Sequence, residues 1–267
     1  MMDDKEIREI NNVNSSFLSV LKAINANSLE DNKELALKAL EKDPHYLKYV
    51  SPRLQDDEEV VCKSVESRFN GPHYNWCGYN LKYASKRLQD NKKVVLKALQ
   101  YNGEMLRYAS SRLRDDEEVV AKALKHNLGA LEYASPRLRD NKEFLLKNMT
   151  CLEYVSKRLQ DDEEVVSKFI QEYYNCLKYA SPRLRNNKKI VFKAIKKHPN
   201  PSADILRYAS KRLRNDKDLV FEALKKDYEG YKYMSLELKE DKEFVSKLEK
   251  DIKGFKSYMK RYKNESK

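Results

Sequence analysis

One segment, Tyr108-Ala-Ser-Ser-Arg-Leu-Arg-Asp-Asp-Glu-Glu-Val-Val120, recurs in close copies along almost the whole chain. The copies anchor on Tyr49, Tyr83, Tyr108, Tyr133, Tyr154, Tyr179, Tyr208 and Tyr233, and four of the seven spacings are 25 residues. The other spacings are 34, 21 and 29. A period of this length constrains the fold to stacked supersecondary units, with insertions falling in loops.

The apolar positions recur in register with the tyrosine. A leucine stands two residues before it in seven copies, from Leu47 and Leu81 to Leu206. Another stands five after it in all of them, from Leu54 to Leu238. An apolar pair then opens the next segment, as in Val60-Val61, Val94-Val95, Val119-Val120 and Val165-Val166. In Val119, Val120, Ala123 and Leu124 the spacing is i, i+1, i+4, i+5, which is one face of a helix and not strand alternation.

The boundaries are also encoded. Asp56-x-x-Glu59, Asp115-x-x-Glu118, Asp140-x-x-Glu143 and Asp161-x-x-Glu164 predict capping boxes. Ser51-Pro52, Ser135-Pro136 and Ser181-Pro182 predict a serine cap followed by proline at the first helical position. Each repeat therefore reads as a short helix through the tyrosine, a capped turn and a second helix. Neither helix can bury its stripe alone, so neighbours must cover it. The tyrosines are expected to be largely buried at the repeat junctions.

The Leu-x-Tyr-Ala-Ser-x-Arg-Leu-x-Asp-Asp-x-Glu-Val-Val pattern resembles the repeat family known as domain of unknown function 4116, over roughly residues 30–248. The resemblance implies no activity. The last copy departs from the pattern, with Glu237 where the other seven have arginine.

The predicted fold is all-α: an α-solenoid of about eight two-helix repeats with capping helices at both ends. Residues 1–30 carry Ile7, Ile10, Val13, Phe17, Leu18, Leu21 and Ile24 at helical spacing and form the N-terminal cap. The repeat array spans 31–248, and 249–267 is the C-terminal capping helix and tail. The tail from Lys239 reads as one long amphipathic helix that covers the open end of the stack, in preference to a membrane-surface helix.

No run approaches a membrane span in length. The N-terminus, Met1-Met-Asp-Asp-Lys-Glu, is acidic and has no apolar core, unlike a secretory signal. A cytoplasmic protein is expected; export by a route without such a signal would leave the same N-terminus. Cys62, Cys77, Cys151 and Cys176 are too scattered for a paired-cysteine zinc site or a disulfide framework.

The insertion at Glu66–Asn80 holds Gly71-Pro72 and the single tryptophan, and reads as a loop. His73 and Cys77 are four residues apart, but two ligands do not make a metal site. Trp76 is the candidate protein contact, as an exposed loop tryptophan can be. The four-residue shortening before Tyr154 reads as a tightened loop with Thr150 as a cap. The extension before Tyr208 reads as a stiff His198-Pro-Asn-Pro-Ser202 turn.

Two charge patterns bear on function. Arg53, Arg87, Arg112, Arg137, Arg158, Arg183 and Arg212 sit four residues after their tyrosines and must form a ladder. It either tracks phosphates or pairs with the periodic acidic caps, and the shared period favours pairing. The net charge of +12 is also concentrated. Residues 176–226 hold 15 basic against 4 acidic side chains, whereas residues 1–175 hold 28 against 29. Here Asn186-Asn187-Lys188-Lys189 replaces Asp-Asp-Glu-Glu, placing lysines where the helix dipole disfavours cations. Asp90-Asn-Lys-Lys93 makes a similar break in a neutral region.

The chain carries no Gly-rich phosphate loop, no His/Glu metal spacing and no nucleophile in a recognisable setting. The expected function is non-catalytic binding or scaffolding, most readily of a protein partner, with no cofactor or metal. The alternative is nucleic-acid or polyanion binding through Arg183, Arg185, Lys188, Lys189, Lys193, Lys196, Lys197, Lys211, Arg212 and Arg214.

Overall fold

The computed structural model describes residues 31–66, 79–148, 151–197 and 204–265, and all regular structure among them is helical. The expected N-terminal cap, the loop with His73, Trp76 and Cys77, Thr150, and the turn at 198–202 lie outside the described residues. No helix among those described is long and apolar enough to cross a membrane. The chain divides into two units, Met1–Ser135 and Pro136–Lys267.

In the first unit the long helices are α1 (Lys33–Lys42), α2 (Glu58–Glu66), α3 (Lys92–Leu99) and α4 (Glu117–His126), each packed on the next. Between them the tyrosine motifs form 3₁₀ helices at Pro44–Tyr49, Tyr79–Tyr83, Gly103–Tyr108 and Leu128–Tyr133, also packed neighbour on neighbour. The second unit repeats the scheme with α5 (Lys142–Asn148), α6 (Glu163–Glu172), α7 (Lys188–Lys197), α8 (Lys217–Leu224) and α9 (Lys242–Asp251). Here α5 packs on α6, α6 on α7 and α7 on α8.

The expected i, i+1, i+4, i+5 face is the core. Val119, Val120 and Ala123 are fully buried and Leu124 nearly so, as are Val165, Val166, Phe169 and Ile170. Tight turns suit the tyrosine motif because a 3₁₀ helix has three residues per turn, so i and i+3 share a side. Leu106 with Ala109, Leu131 with Ala134, and Leu177 with Ala180 are spaced that way, and all six are buried. A side-chain oxygen starts several of these helices with no intervening loop. Asn127 ends α4, its own N–H donating to the Ala123 carbonyl, while its Oδ1 accepts from the Gly129 amide at 2.8 Å. Gly103 is needed where the third motif helix meets α4, since a Cβ there would lie 2.3 Å from the Ala123 carbonyl oxygen.

Three details differ from the sequence expectation. The expected turn is itself a one-turn helix, such as Pro52–Gln55, Lys86–Gln89 and Pro182–Arg185, so a repeat has three helical pieces. Its leucine, for example Leu54 or Leu184, is fully buried, and this burial holds the turn helical. The serine caps are as expected: Ser51 Oγ accepts from the Leu54 amide, with Pro52 in the first turn.

The N-caps fall one residue later than expected, which puts valine at the third helical position of α4 and α6, so no glutamate completes a capping box there. The N-cap of α4 is Asp116, which accepts from the Glu118 and Val119 amides at 3.0 and 3.1 Å. Asp57 caps α2 and Asp162 caps α6 in the same way. An N-cap needs extended backbone, which Asp116 has at φ −88, ψ 118. The preceding aspartate is taken by the end of the one-turn helix, as at Asp56 with φ −103, ψ 5.

The C-terminal segment is two helices and not one. α9 ends at Asp251, and Gly254 takes φ +88, a left-handed conformation that glycine adopts without a Cβ penalty. α10 (Phe255–Glu265) then turns back, and its Phe255, Tyr258 and Tyr262 rings meet Tyr228 and Tyr231. In the shortened repeat before Tyr154 the motif helix Leu152–Tyr154 has 3 residues against 6 in Leu128–Tyr133.

Candidate interaction surfaces

The arginine ladder is a structural clamp within each unit. In the first unit Arg53 Nε donates to Asp31 at 2.7 Å, Arg87 to Asp56 at 2.9 Å and Arg112 to Asp90 at 3.1 Å. In the second, Arg158 meets Asp140 at 3.1 Å and Arg183 meets Asp161 at 3.0 Å. The guanidinium also donates from Nη2 to the same aspartate's carbonyl, as Arg158 does at 2.9 Å. The serine two residues before the arginine donates its hydroxyl to that carboxylate, as Ser85, Ser110, Ser156 and Ser181 do. Its amide donates to the residue before the aspartate, as Ser85 N–H does to the Gln55 carbonyl at 2.9 Å. The hydrogen bonds from Ser85 and Arg87 hold the Asp56 carboxyl below the usual aspartate value, and Asp90, Asp140 and Asp161 are lowered by the same pair.

A lysine ladder, missed in the sequence, runs beside it. The first residue of α1, Lys33, reaches Asp57 at 2.8 Å and Glu59 at 2.9 Å. Lys92 reaches Asp116 and Glu118, Lys142 reaches Asp162 and Glu164, and Lys217 reaches Asp241. Each lysine thus binds the N-cap of the following long helix. Partial burial pushes Asp57, Asp116 and Asp162 up; the lysine and the capped amides outweigh it, so each carboxyl ends low. The signal was available: the long helices from α1 to α7 begin Lys, Glu, Lys, Glu, Lys, Glu, Lys.

Lys188 belongs to this ladder. It lies 2.8 Å from Asp216 and 3.3 Å from Asp218. Lysine at the start of α7 is therefore not an unexplained break, because the following carboxylates offset the unfavourable dipole. Asn187 still caps the helix, accepting from the Lys189 amide at 3.0 Å.

The other basic candidates fall into separate groups. Arg183 and Arg212 stand in the arginine ladder, but Arg212 meets a neutral partner, Asn186 Oδ1, at 2.9 Å. Arg185 and Arg214 are half-buried with Nε atoms that have no hydrogen-bond partner, as at Arg114 and Arg139. They fill a slot that is glutamine elsewhere, where Gln89 donates to the Leu81 carbonyl at 3.1 Å. Lys189, Lys193, Lys196 and Lys197 share the exposed side of α7, and Lys193 donates to Ser167 Oγ at 2.9 Å. Lys211 is exposed, just ahead of Arg212. Trp76 lies outside the described residues.

The tyrosines are not buried as expected. Tyr49 is 43% exposed, and Tyr83, Tyr108, Tyr133, Tyr154, Tyr179, Tyr208 and Tyr233 are half-exposed. The leucine two residues earlier takes the core position, so the tyrosine is turned to the rim. A cation from the preceding residue covers most of these rings. Lys48, Lys82, Lys178 and Lys232 lie 4.3–5.3 Å from the ring centroids of Tyr49, Tyr83, Tyr179 and Tyr233. Arg107 lies 5.4 Å from both Tyr108 and Tyr133, joining consecutive repeats. Such contacts contribute about 0.5–1 kcal/mol at exposed sites. Tyr179 also donates its hydroxyl to Glu153 at 2.5 Å.

Among the described residues no three His, Cys, Asp or Glu side chains converge as a metal site requires. Burial pushes the Cys176 thiol up to about 11, so it is protonated and a poor nucleophile at neutral pH.

No curated protein and no solved structure matches the chain. The family model for domain of unknown function DUF4116 matches seven times in tandem, at 32–70, 74–114, 116–160, 147–185, 162–214, 187–239 and 216–251. Its matches cover the clamp residues from Ser51 to Arg212, and on them the chain belongs to the DUF4116 repeat family.

Proposed function

We propose that this chain is a non-catalytic binding protein, an α-solenoid of about eight repeats whose tyrosine edge is presented to another protein. The observation that carries this reading is the half-exposed tyrosine in every repeat, in most of them with a lysine or arginine over its ring. Tyrosine and arginine are enriched in protein interfaces, where a rigid aromatic offers contact area at low entropic cost. The edge is rigid because the flanking leucine and serine are fixed by core and cap, so little ordering is needed on binding.

The test is capture from the native source by cross-linking, followed by mass spectrometry. The full chain is compared with a variant carrying Tyr154→Ser, Tyr179→Ser and Tyr208→Ser. The variant should stay helical and lose specific partners. Recovery of the same proteins by both forms would overturn the tyrosine edge as the contact surface.

One observation favours a second reading, polyanion binding. Asn186 puts a neutral amide in place of the carboxylate in the Arg212 rung, and α7 of the same unit exposes Lys189, Lys193, Lys196 and Lys197. Phosphate binding through this region would fall steeply with salt.

A further inference from the structure

A groove with about 500 Å³ of open space lies on the outer side of α7, α8 and α9, all within the second unit. Phe192, Phe221 and Phe244 line it, with Lys196, Lys217 and Lys247 and the acids Asp218, Glu222 and Glu243. None of the edge tyrosines lines it. Two of these phenylalanines are anomalous in the repeat. The fifth residue of the long helix is Leu37, Cys62, Leu96, Ala121, Leu146 or Ser167 in α1 to α6, but Phe192 and Phe221 in α7 and α8. Both rings are half-exposed, so they do not serve the core.

The charges around the rings are unequal in their engagement. Lys196 Nζ lies 4.6 Å from the Phe192 centroid, and Lys247 Nζ lies 5.3 Å from that of Phe221. Among the described residues neither ammonium has a carboxylate within ion-pair distance. Asp218 is held by Lys188 and Glu222 by Lys225, at 3.3 and 3.1 Å. The groove therefore offers two uncommitted cations beside apolar rings, with most of its acids already matched.

We infer that this groove docks an acidic segment of a partner protein, whose carboxylates meet Lys196 and Lys247 while an apolar side chain enters between Phe192 and Phe221. The inference rests on the protein-partner reading above but not on the tyrosine edge. A peptide fits the groove better than a nucleic acid because Asp218, Glu222 and Glu243 would repel a continuous phosphate chain, whereas a peptide can space its carboxylates around them and give a backbone N–H to Glu243.

The test uses the full chain and a short fluorescein-labelled peptide in which glutamates flank a leucine–phenylalanine pair, followed by anisotropy at low salt. Binding should weaken at least about tenfold for Lys196→Ala with Lys247→Ala, and likewise for Phe221→Ala, with helical content unchanged. It should weaken similarly when the peptide's glutamates become glutamines, or when its leucine and phenylalanine become serines. The Tyr154→Ser, Tyr179→Ser, Tyr208→Ser variant should bind the peptide as the parent does, which separates this groove from the tyrosine edge. No peptide binding by the parent, or equal binding by all variants, overturns the inference. So does binding of labelled oligo(dT), in place of the peptide, that is lost on Phe221→Ala. If Phe221→Ala fails to fold, the Lys196→Ala, Lys247→Ala pair decides.

Discussion

Arg212 donates its Nε to Asn186 Oδ1 at 2.9 Å, in the place where Arg183 meets the carboxylate of Asp161. Ser210 donates to the same Asn186 oxygen, so the hydrogen-bond pattern of the clamp survives and only its charge is lost. The next rung is altered again: Asn215 stands in for aspartate and donates to Glu237, which stands in for arginine. Two adjacent junctions of the second unit thus keep the clamp's geometry with neutral or inverted partners.

Restoring the charge should firm that junction. Asn186→Asp gives Arg212 a carboxylate and Ser210 a charged acceptor. The melting temperature should rise by at most a few degrees, because exposed ion pairs contribute little. The gain should shrink in about 1 M salt, where the Debye length is only ~3 Å. Equal melting curves for the two proteins at low salt would mean the asparagine already supplies what the clamp needs.

Leu106 and Tyr108 should separate in a denaturant titration. Leu106 is fully buried, and Leu106→Ala should cost roughly 2–5 kcal/mol. Tyr108 is half-exposed and holds Arg107 over its ring, so Tyr108→Ala should cost about 1 kcal/mol. A larger loss at Tyr108 than at Leu106 would put the tyrosine back in the core.

The difference between those two residues shows where the sequence was legible. Periodicity identified the helices, the leucines and the paired valines, because burial of a repeated stripe leaves a repeated pattern. It could not rank Leu106 against Tyr108, since a half-buried tyrosine and a buried one recur with the same period. Of the consecutive aspartates Asp115 and Asp116, the spacing to Glu118 points to the first as the cap. Backbone conformation decides between them, placing the cap at the second. Lys188 looked anomalous only because its partners, Asp216 and Asp218, lie in the following repeat. Phe192 and Phe221 depart from the repeat in sequence, but only the packing of α7 on α8 brings them to one groove.

Stability should fall at both ends of the pH scale. The aspartates of both ladders sit below their usual 3.8 in the folded chain. A lowered carboxyl contributes stability that is present above that value and lost as pH falls below it. Lys33, Lys92, Lys142 and Lys188 are raised above 10.5 by hydrogen bonds to their acids. Their contribution is present below 10.5 and lost as pH rises through the raised value. Melting temperature against pH should therefore show a plateau between these flanks. Lys92→Gln leaves the partial burial of Asp116 less well opposed and narrows the gap between its folded and unfolded values, so the variant should be less stable at neutral pH and lose less stability on the acid flank. An unchanged acid flank would mean the capped amides alone hold Asp116 down.

Lys188 and Lys189 are neighbours with opposite expected outcomes. Lys188 is the rung that joins α7 to the N-cap of α8, where burial raises and Lys188 with the Leu219 amide lowers the Asp216 carboxyl. Lys188→Glu would set a third carboxylate against Asp216 and Asp218 and should lower the melting temperature by several degrees. Lys189 is exposed on the outer side of α7, so Lys189→Glu should leave the melt unchanged. Only the second change is a clean probe of polyanion binding. Paired with Lys197→Glu, it replaces two cations by two anions on one helix face without breaking the ladder. Anisotropy with labelled DNA and RNA across a salt series then decides the second reading. Binding by the parent that weakens steeply with salt and is lost in Lys189→Glu, Lys197→Glu would support it. No binding by the parent at low salt, or equal binding by both proteins, would remove it, because no charge on α7 would then be contributing to the affinity.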